Sequence, residues 1–206
     1  SGVHVLTFSK RIDDDTAVCV PDFHYLGSKG YRDLARRIDA HSIPWNKKHP
    51  MAVFRGRASH GQPHTFIGCE RPMTHREHLF HLTRTSDLGD LLDYENDYMS
   101  IEDMARHRYL LDVDGFTNSW DGLFWKLYSG SVVLKHASLW KQWYYDDLVP
   151  WVHYVPVAHD FSDLGEKIRW CHRHDDTCRT IGRNAREFVL NTLSWDRVCD
   201  TTVQSA

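Results

Sequence analysis

The stretch that decides the fold begins with HRYLLDVDG at residues 107–115 and FTNSWDGLFWKL at 116–127, and it continues with SGSVVLK at 129–135 and PWVHYVPVAHD at 150–160. Its apolar runs at 110–113 and 132–134 are each long enough for one buried strand and too short for a helix. Strands that alternate with helices in this way are typical of an α/β protein with a parallel sheet.

The segment between these two strands has the signals of a turn and a helix. Asp114-Gly115 is a turn signal, and Ser119 is the expected N-cap of a helix that Ser129-Gly130 ends. Its apolar residues have helical spacing: Leu123, Phe124 and Leu127. A strand followed by a loop and a helix N-terminus is the layout with which α/β proteins hold a phosphate against free backbone N–H groups.

Two further blocks lie upstream, PWNKK at 44–48 and AVFRG at 52–56. Together with DVDG, NSW, SGSVVLK and PWVHYVPV, they occur in an order and with gaps that resemble glycosyltransferase family 90. That family includes the capsule-associated xylosyltransferases, lipopolysaccharide-modifying types, and the protein O-glucosyltransferases that modify EGF repeats. The resemblance covers about residues 20–193.

The resemblance implies an α/β fold with two Rossmann-like halves facing a cleft, a compact version of the arrangement called GT-B. We expect residues 1–95 to form the N-terminal half, with the acceptor side and the candidate base. Residues 96–206 would form the C-terminal half, which binds the nucleotide sugar. The acidic segment 87–97, expected to be a loop or a short helix, is the natural boundary.

The function that this resemblance implies is an inverting transfer of glucose or xylose from a UDP-sugar to a hydroxyl of a glycan or protein acceptor. Enzymes of this type stabilise the leaving diphosphate with Arg, Lys and a helix dipole, so neither a metal nor a cofactor is expected. Asp112-Val113-Asp114 has the letters of a metal-binding D-x-D motif, but in this family they belong to the D-x-D-G block.

A second hypothesis is a non-catalytic carbohydrate- or nucleotide-binding module on the same fold. Many family members carry S-x-R at the helix start, and that arginine meets the diphosphate. Here Ser119 is followed by Trp120-Asp121-Gly122, so the arginine is absent. Donor hydrolysis or transfer with a panel of sugar nucleotides distinguishes the two hypotheses.

The residues expected to bind the nucleotide sugar follow from these blocks. Arg55, beside Gly56, is predicted to supply the positive charge, while Asn118 and Ser119 supply hydrogen-bond donors. Arg57 or Arg108 is predicted to replace the missing arginine. For Arg55 and Arg108 the alternative is a structural ion pair. Asp114 and Gly115 are predicted to contact the ribose or to fix the loop. Lys135, at the end of SGSVVLK, completes the set.

Asp22 is the predicted catalytic base. It follows the apolar run 17–20, and Pro21 restricts the backbone before it, which favours a carboxylate held at a strand tip. In the O-glucosyltransferases the base is an aspartate in a similar place, upstream of the P-W…R-G block. The alternative is an aspartate that caps its own turn, and Asp160 and Asp114 are the competing carboxylates.

Composition excludes several classes. A net charge of −3 lacks the basic footprint of a nucleic-acid-binding protein, and no apolar run reaches the ~20 residues of a membrane span. Five scattered cysteines favour buried thiols in a reducing, cytoplasmic compartment, although a secretory-pathway lumen stays open if a leader was removed. Asp13–Asp15 is interpreted as a solvated turn, and His75, His78 and His81 as part of a mixed surface face.

The remaining periodicity predicts the other elements. Strands are expected at 3–8, 17–20, 51–54 and 151–157. Helices are expected at 30–40, 74–83, 100–106, 139–148 and 161–172, followed by one through 178–189 and a short one beyond 195. Within the second of these helices, Thr74 and Glu77 fit a capping box.

Overall fold

A computed structural model of the chain describes residues 5–95 and 97–204. Its strands are β1 (Val5–Thr7), β2 (Lys10–Arg11), β3 (Ala17–Cys19), β4 (His49–Arg55), β5 (Leu92–Glu95), β6 (His107–Asp112), β7 (Val132–His136), β8 (Trp140–Lys141) and β9 (Val155–Val157). Its α-helices are α1 (Phe23–Gly27), α2 (Arg32–Ala40), α3 (His75–Thr85), α4 (Ile101–Met104), α5 (Gly122–Tyr128), α6 (Leu164–Arg173), α7 (Asp175–Thr192) and α8 (Trp195–Gln204). Short 3₁₀ turns lie at Trp45–Lys47, Asp87–Asp90 and Tyr145–Asp147.

The main sheet has five strands in the order β5-β4-β6-β7-β9, and every neighbouring pair is parallel. The α/β class with a parallel sheet is therefore confirmed. Since β4 connects to β5 on one side and β6 connects to β7 on the other, the strand order reverses between β4 and β6. This is a doubly wound arrangement, in which ligands bind beyond the carboxyl ends of the strands at the point of reversal.

Helices cover both faces of this sheet. Alternate residues of the central strands point to opposite faces, so Ala52 and Phe54 join the core under α3 and α6 while Val53 faces α2 and α5. Helix α7 contributes to both cores, with Ile181 on the first face and Phe188 on the second. The apolar runs of the sequence are nearly continuous because both faces of the strands are buried.

The N-terminal segment forms two small sheets. Strands β1 and β3 pair in parallel, and β2 pairs antiparallel with β8. A hydrogen bond of 2.9 Å between the hydroxyls of Ser9 and Ser119 ties this segment to the loop after β6. The strand expected at 3–8 is present from Val5, and residues 3 and 4 lie outside the described part. Asp13 and Asp14 form the expected turn, with bonds to Arg11 and Thr16.

Helix α5 begins later than the sequence indicates. Ser119 is not its N-cap, because the helix starts at Gly122 with Asp121 before it. Trp120 has a positive φ of 76°, a left-handed conformation that a helix cannot continue through. The hydroxyl of Ser119 instead contacts Thr117 at 2.9 Å. The predicted end of the helix is confirmed, since Ser129 is the C-cap and Gly130 has φ 69°.

Two segments differ from the sequence interpretation. Residues 87–97 contain strand β5, whose alternation of buried Leu92 and Tyr94 with more exposed Asp93 and Glu95 is that of an edge strand. Residues 139–148 do not form a helix but strand β8 and a 3₁₀ turn. The capping box of Thr74 and Glu77 is confirmed.

The sheet also crosses the expected boundary between residues 1–95 and 96–206. Strands β4 and β5 come from the first part, and β4 pairs directly with β6 from the second. The boundary therefore does not separate two sheets, because a strand predicted as loop joins the edge of the same sheet. Asn96 itself lies outside the described residues.

All five cysteines are free thiols, and Cys171 and Cys178 are buried on two separate helices, α6 and α7. Among the described residues, no helix has both the length and the apolar character needed to cross a membrane.

Candidate functional site

The point where the strand order reverses lies between the carboxyl ends of β4 and β6. The chain continues from β4 into Gly56 and from β6 into Val113, Asp114 and Gly115. A small polar cavity of about 80 Å³ opens beside the second loop. It is lined mainly by that loop, by the start of α5 and by two cations: Asp112, Val113, Asp114, Gly115, Thr117, Asn118, Ser119, Gly122, Leu123, Arg76, Lys126 and Tyr145.

Four residues predicted from the sequence therefore come together around this cavity: Asp114, Gly115, Asn118 and Ser119. The loop that carries them is held by buried polar contacts. The Asn118 amide donates to the carbonyl of Trp140 at 2.5 Å, and the hydroxyl of Ser138 donates to the carboxylate of Asp114. The polar side chains of Asn118 and Asp114 thus form hydrogen bonds that hold the loop in its conformation.

Arg76, in the first turn of α3, lies at the centre of the switch point. Its guanidinium donates to the carbonyls of Val113 and Asp114, at 3.1 Å each. A Cβ placed on Gly56 would come within 3.2 Å of one terminal nitrogen, and a Cβ on Gly115 within 3.4 Å of the other. The two glycines that follow β4 and β6 therefore leave the space that this side chain occupies.

No carboxylate in the described part of the chain forms an ion pair or a hydrogen bond with Arg76, although Asp112 and Asp114 are close enough to interact with its charge. Burial lowers the pKa of the guanidinium, but an arginine keeps its proton at neutral pH. Two of its five N–H donors are used in the carbonyl bonds, which leaves three for a ligand. The sequence analysis missed this residue, although the capping box of Thr74 and Glu77 places it in the first turn of α3.

The floor of the cavity is a buried ion cluster. Asp112 is 2.6 Å from the ammonium of Lys126 and 3.5 Å from that of Lys135. Burial acts to raise the pKa of Asp112, but the two lysines outweigh it and hold the pKa well below its usual range. Lys135, predicted to bind the nucleotide sugar, also lies 4.6 Å from the ring centroid of Tyr145. Its predicted role stays a prediction.

Arg55 ends β4 but has partners within the protein. Its side chain is 8% exposed and forms ion pairs with Asp93 at 2.9 Å and with Asp97 at 2.8 Å. It also donates to the carbonyl of Asp93 at 2.9 Å. This is the structural ion pair that the unpredicted strand β5 creates, and its charge is balanced before any ligand arrives.

The two other predicted arginines lie apart from each other. Arg57 is exposed and lines a cavity of about 540 Å³ together with Arg55 and Gly56. Arg108 is at the amino end of β6, where it binds Asp175 at 2.9 Å and lies over Trp45. Arg108 is therefore at the amino ends of the strands, on the opposite side of the sheet from the switch point. Its assignment to the diphosphate stays a prediction, and its ion pair with Asp175 is the structural alternative.

Asp22 is 3% exposed and caps helix α1. One carboxylate oxygen accepts the backbone N–H groups of His24 and Tyr25 at 2.9 Å each, and the other accepts the hydroxyl of Tyr31 at 2.5 Å. This geometry is that of a turn-capping aspartate, the alternative that the sequence left open. Its role as a base stays a prediction.

A second carboxylate near it, Asp121, has a different environment. It lines a cavity of about 530 Å³ with His24 and Trp120, and its side chain does not cap α5. Burial raises the pKa of Asp121. Trp120 belongs to an exposed aromatic cluster, in which its ring centroid is 5.0 Å from that of Phe23 and 5.0 Å from that of His24. Ser119 and Gly122 border the polar cavity, so the segment 119–122 adjoins both cavities.

The histidines of α3 also differ from their interpretation as a mixed surface face. His75 and His78 are both buried at 7% exposure, and only His81 of the three is exposed. His75 packs against His64 and His159, which come from two other segments.

The sequence profile of glycosyl transferase family 90 matches residues 6–204, nearly the whole chain. The chain belongs to glycosyltransferase family 90. The resemblance drawn from the D-x-D-G, S-G-S-V-V-L-K and P-W-V-H-Y-V-P-V blocks is thereby confirmed.

Curated relatives of this family 90 chain include two protein O-glucosyltransferases. Protein O-glucosyltransferase 2 of Danio rerio is 31% identical over 168 residues, which are 78% of this chain and 33% of the relative. Protein O-glucosyltransferase 1 of Homo sapiens is 28% identical over 170 residues, which are 81% of this chain and 42% of the relative. The chain thus spans less than half the length of these relatives.

Among solved structures, Anabaena HepE in complex with UDP and glucose superposes with a TM-score of 0.51 and 10% identity, over 84% of this chain and 51% of HepE. At this identity the similarity shows the fold alone. It agrees with the doubly wound sheet of this family 90 chain.

The buried ion cluster generates a prediction about stability. Lys126→Met leaves Asp112 with Lys135 alone, so we expect unfolding to be easier by about 3 kcal/mol near pH 7. The folded-state pKa of Asp112 is lowered, so its pairing stabilises the protein above the unfolded value of about 3.9 and is lost as the pH falls further. The difference between variant and wild type should therefore shrink below about pH 4, as measured by urea unfolding across pH.

The matched control is Lys141→Met, which removes a lysine from a surface pair with the exposed Asp146. Exposed pairs contribute less than about 1 kcal/mol, so this variant should unfold nearly as the wild type does. Equal losses in the two variants, or a Lys126→Met loss that does not depend on pH, would contradict the assignment.

Proposed function

We propose that the chain forms the nucleotide-sugar site of an inverting glycosyltransferase that moves glucose from UDP-glucose to a hydroxyl of a protein or glycan acceptor. The observation that carries this proposal is Arg76, a half-buried guanidinium without a carboxylate partner in the described residues, at the switch point of a family 90 chain. The names of the curated relatives favour glucose as the sugar and protein as the acceptor, with xylose as the next candidate.

The diphosphate is proposed to lie beside Arg76, at the loop that carries Asn118 and Ser119. During transfer, the acceptor oxygen attacks the anomeric carbon and the bond from that carbon to the diphosphate oxygen breaks. The leaving UDP gains negative charge, and a fixed guanidinium stabilises it without rearrangement. A base accepts the proton of the acceptor hydroxyl, so that no charge is left on the new glycosidic oxygen.

The surroundings of Asp121 suit a general base better than those of Asp22 do. Its raised pKa brings it closer to the working pH of a general base, and it borders an open cavity. Both oxygens of Asp22, in contrast, already accept hydrogen bonds from the protein. The exposed rings of Phe23 and Trp120 beside Asp121 offer the flat apolar faces on which a sugar or an acceptor side chain can pack.

The second candidate function is a carbohydrate- or nucleotide-binding module without catalysis. It is favoured by one observation, the presence of Trp120-Asp121-Gly122 where many family members have the diphosphate arginine. The two functions differ in whether the donor is consumed.

The proposed function is tested by incubating the protein with UDP-glucose, UDP-xylose, GDP-mannose and ADP-glucose and measuring nucleotide release. We expect release from a uridine donor, and we expect it to persist in EDTA, because an arginine can carry the charge of the leaving group. The EDTA assay is run where circular dichroism shows that the protein stays folded. Binding of the donor without nucleotide release would support the non-catalytic binding module. If EDTA abolishes release and manganese restores it, a metal ion and not an arginine stabilises the charge of the leaving group.

Arg76→Ala should weaken the binding of UDP by ten-fold or more, because a hydrogen bond to a charged group contributes about 1.5–3 kcal/mol. The affinity for uridine, which has no phosphate, should stay the same. Isothermal titration with both ligands separates the loss of a phosphate contact from a general distortion of the site. Arg84→Ala is the matched control, since Arg84 lies on the same helix and pairs with Glu95 at the surface.

An Arg76→Ala protein that binds UDP as the wild type does would contradict this assignment, and so would an equal loss of affinity for uridine. The same titrations on Arg55→Ala and Arg57→Ala test the roles predicted for those two residues from the sequence.

Asp121→Asn should lower turnover by about 10²–10⁴-fold while UDP affinity is unchanged, because the amide keeps the shape of the carboxylate and cannot accept the proton. The matched variant is Asp22→Asn, which retains an oxygen for the N–H groups of His24 and Tyr25. Turnover is measured under saturating donor. If Asp22→Asn is the inactive variant and Asp121→Asn is active, the base is the one predicted from the sequence.

A further inference from the structure

Three histidines from distant parts of the chain converge beside the loop after β6. One ring nitrogen from each of His64, His75 and His159 lies within 4.8 Å of the other two. His64 is in the loop before α3, His75 is the first residue of α3, and His159 follows β9. We propose that these three imidazoles form a Zn²⁺ site in which a water completes the tetrahedron.

The separations are close to those that zinc requires. The Nε2 atoms of His75 and His159 are 3.0 Å apart. Two nitrogens bound to zinc at 2.0–2.1 Å in a tetrahedron lie about 3.3 Å from each other. The other two separations in the group are at most 4.8 Å, so side-chain rotations that bring His64 closer would complete the set. Three histidines with one open position are an established ligand set for this ion.

The ring of His159 is held in the orientation and tautomer of a metal-binding histidine. Its Nδ1–H donates to the carbonyl of Ala137 at 2.8 Å, so the proton of the neutral ring is on Nδ1 and Nε2 presents its lone pair. Histidines that bind zinc commonly hold their second nitrogen in this way. His64 is fixed through its backbone, which exchanges hydrogen bonds of 2.7 and 2.9 Å with Met73.

The surroundings also favour a cation. The three rings and Asp114 line a cavity of about 20 Å³, enough for one ion or one water. One carboxylate oxygen of Asp114 is buried without a hydrogen-bond partner. Arg11 borders the same cavity, but its charge is paired with Asp13 at 3.0 Å.

A bound ion would join three parts of the chain at the end of the sheet where the strands have their carboxyl ends. His64 belongs to the segment between β4 and α3, and His159 to the connection between β9 and α6. Zinc would thus fix the position of the loop that begins at Gly56 relative to the far side of the sheet. This role is structural and is separate from the charge that Arg76 offers to a diphosphate.

The proposal is tested by equilibrium dialysis of the metal-stripped protein against Zn²⁺, without any sugar nucleotide, so the result does not depend on transferase activity. We expect one equivalent per chain. His64→Ala and His159→Ala, both at half-buried positions, should each lower the affinity by about 100-fold or more, since even the outer contacts of a zinc ligand contribute 10–100-fold. His81→Ala, on the exposed face of α3, is the matched control and should bind as the wild type does.

Cobalt gives a second readout. Co²⁺ in the site should show the visible absorption of a tetrahedral nitrogen and oxygen environment, without the thiolate charge-transfer band. Cys69, whose sulfur lies 3.6 Å from Nδ1 of His78, is the neighbouring alternative. If Cys69→Ser abolishes binding while His159→Ala does not, or if the wild type and both histidine variants bind equally, the proposed site is overturned.

Discussion

The parallel direction of all five strands in the main sheet is the constraint on which the rest of the structure depends. It places the carboxyl ends of all five strands at the same end of the sheet, so the loops after β4, β6, β7 and β9 meet there. Because the chain turns away in opposite directions after β4 and β6, the two loops diverge and leave a crevice. Arg76 fills part of that crevice and packs closely against Gly56, where a Cβ would come within 3.2 Å of its guanidinium.

The features that the sequence predicts well are those decided by local chemistry. The capping box of Thr74 and Glu77 and the left-handed Gly130 after α5 depend on a few neighbouring residues. The grouping of Asp114, Gly115, Asn118 and Ser119 follows from their position in one short loop after a strand. The start of α5 was wrong because Trp120 adopts a left-handed conformation, which no propensity assigns to tryptophan.

What the sequence leaves open or misses at the site depends on contacts between residues far apart in the chain. The sequence does not decide whether Arg55 binds a ligand or forms a structural ion pair, because residues 92–95 are expected to be a loop or a short helix. As strand β5, they align Asp93 beside β4 and neutralise the guanidinium. The histidine cluster was invisible for the same reason, since spacing along α3 does not reveal that His64 and His159 approach His75. Arg108 begins a strand, whereas ligands of doubly wound sheets bind where strands end, so its position does not support the contact with a diphosphate that the sequence suggested.

A comparison with Lys48 shows why Arg76 is suited to an anion. Lys48 is buried and likewise has no carboxylate partner in the described residues, and burial lowers its pKa to about 8. Its ammonium, however, donates to the carbonyls of Ala105 and Ser129 and to the hydroxyl of Ser131, which uses all three of its donors. Lys48 therefore holds chain segments together at the amino ends of the strands and has no N–H donor left for a ligand.

Arg76 is half-buried, lies at the opposite end of the strands and uses only two of its five donors. Burying a charge is unfavourable unless it is paired and hydrogen-bonded, so a guanidinium held in this state gains from any anion that reaches it. Two oxygens of a phosphate group can accept a bidentate contact from the planar fork of a guanidinium. The excess of charge and donors over partners at Arg76 is therefore the reason for placing the proposed donor site within the crevice that the sheet topology creates.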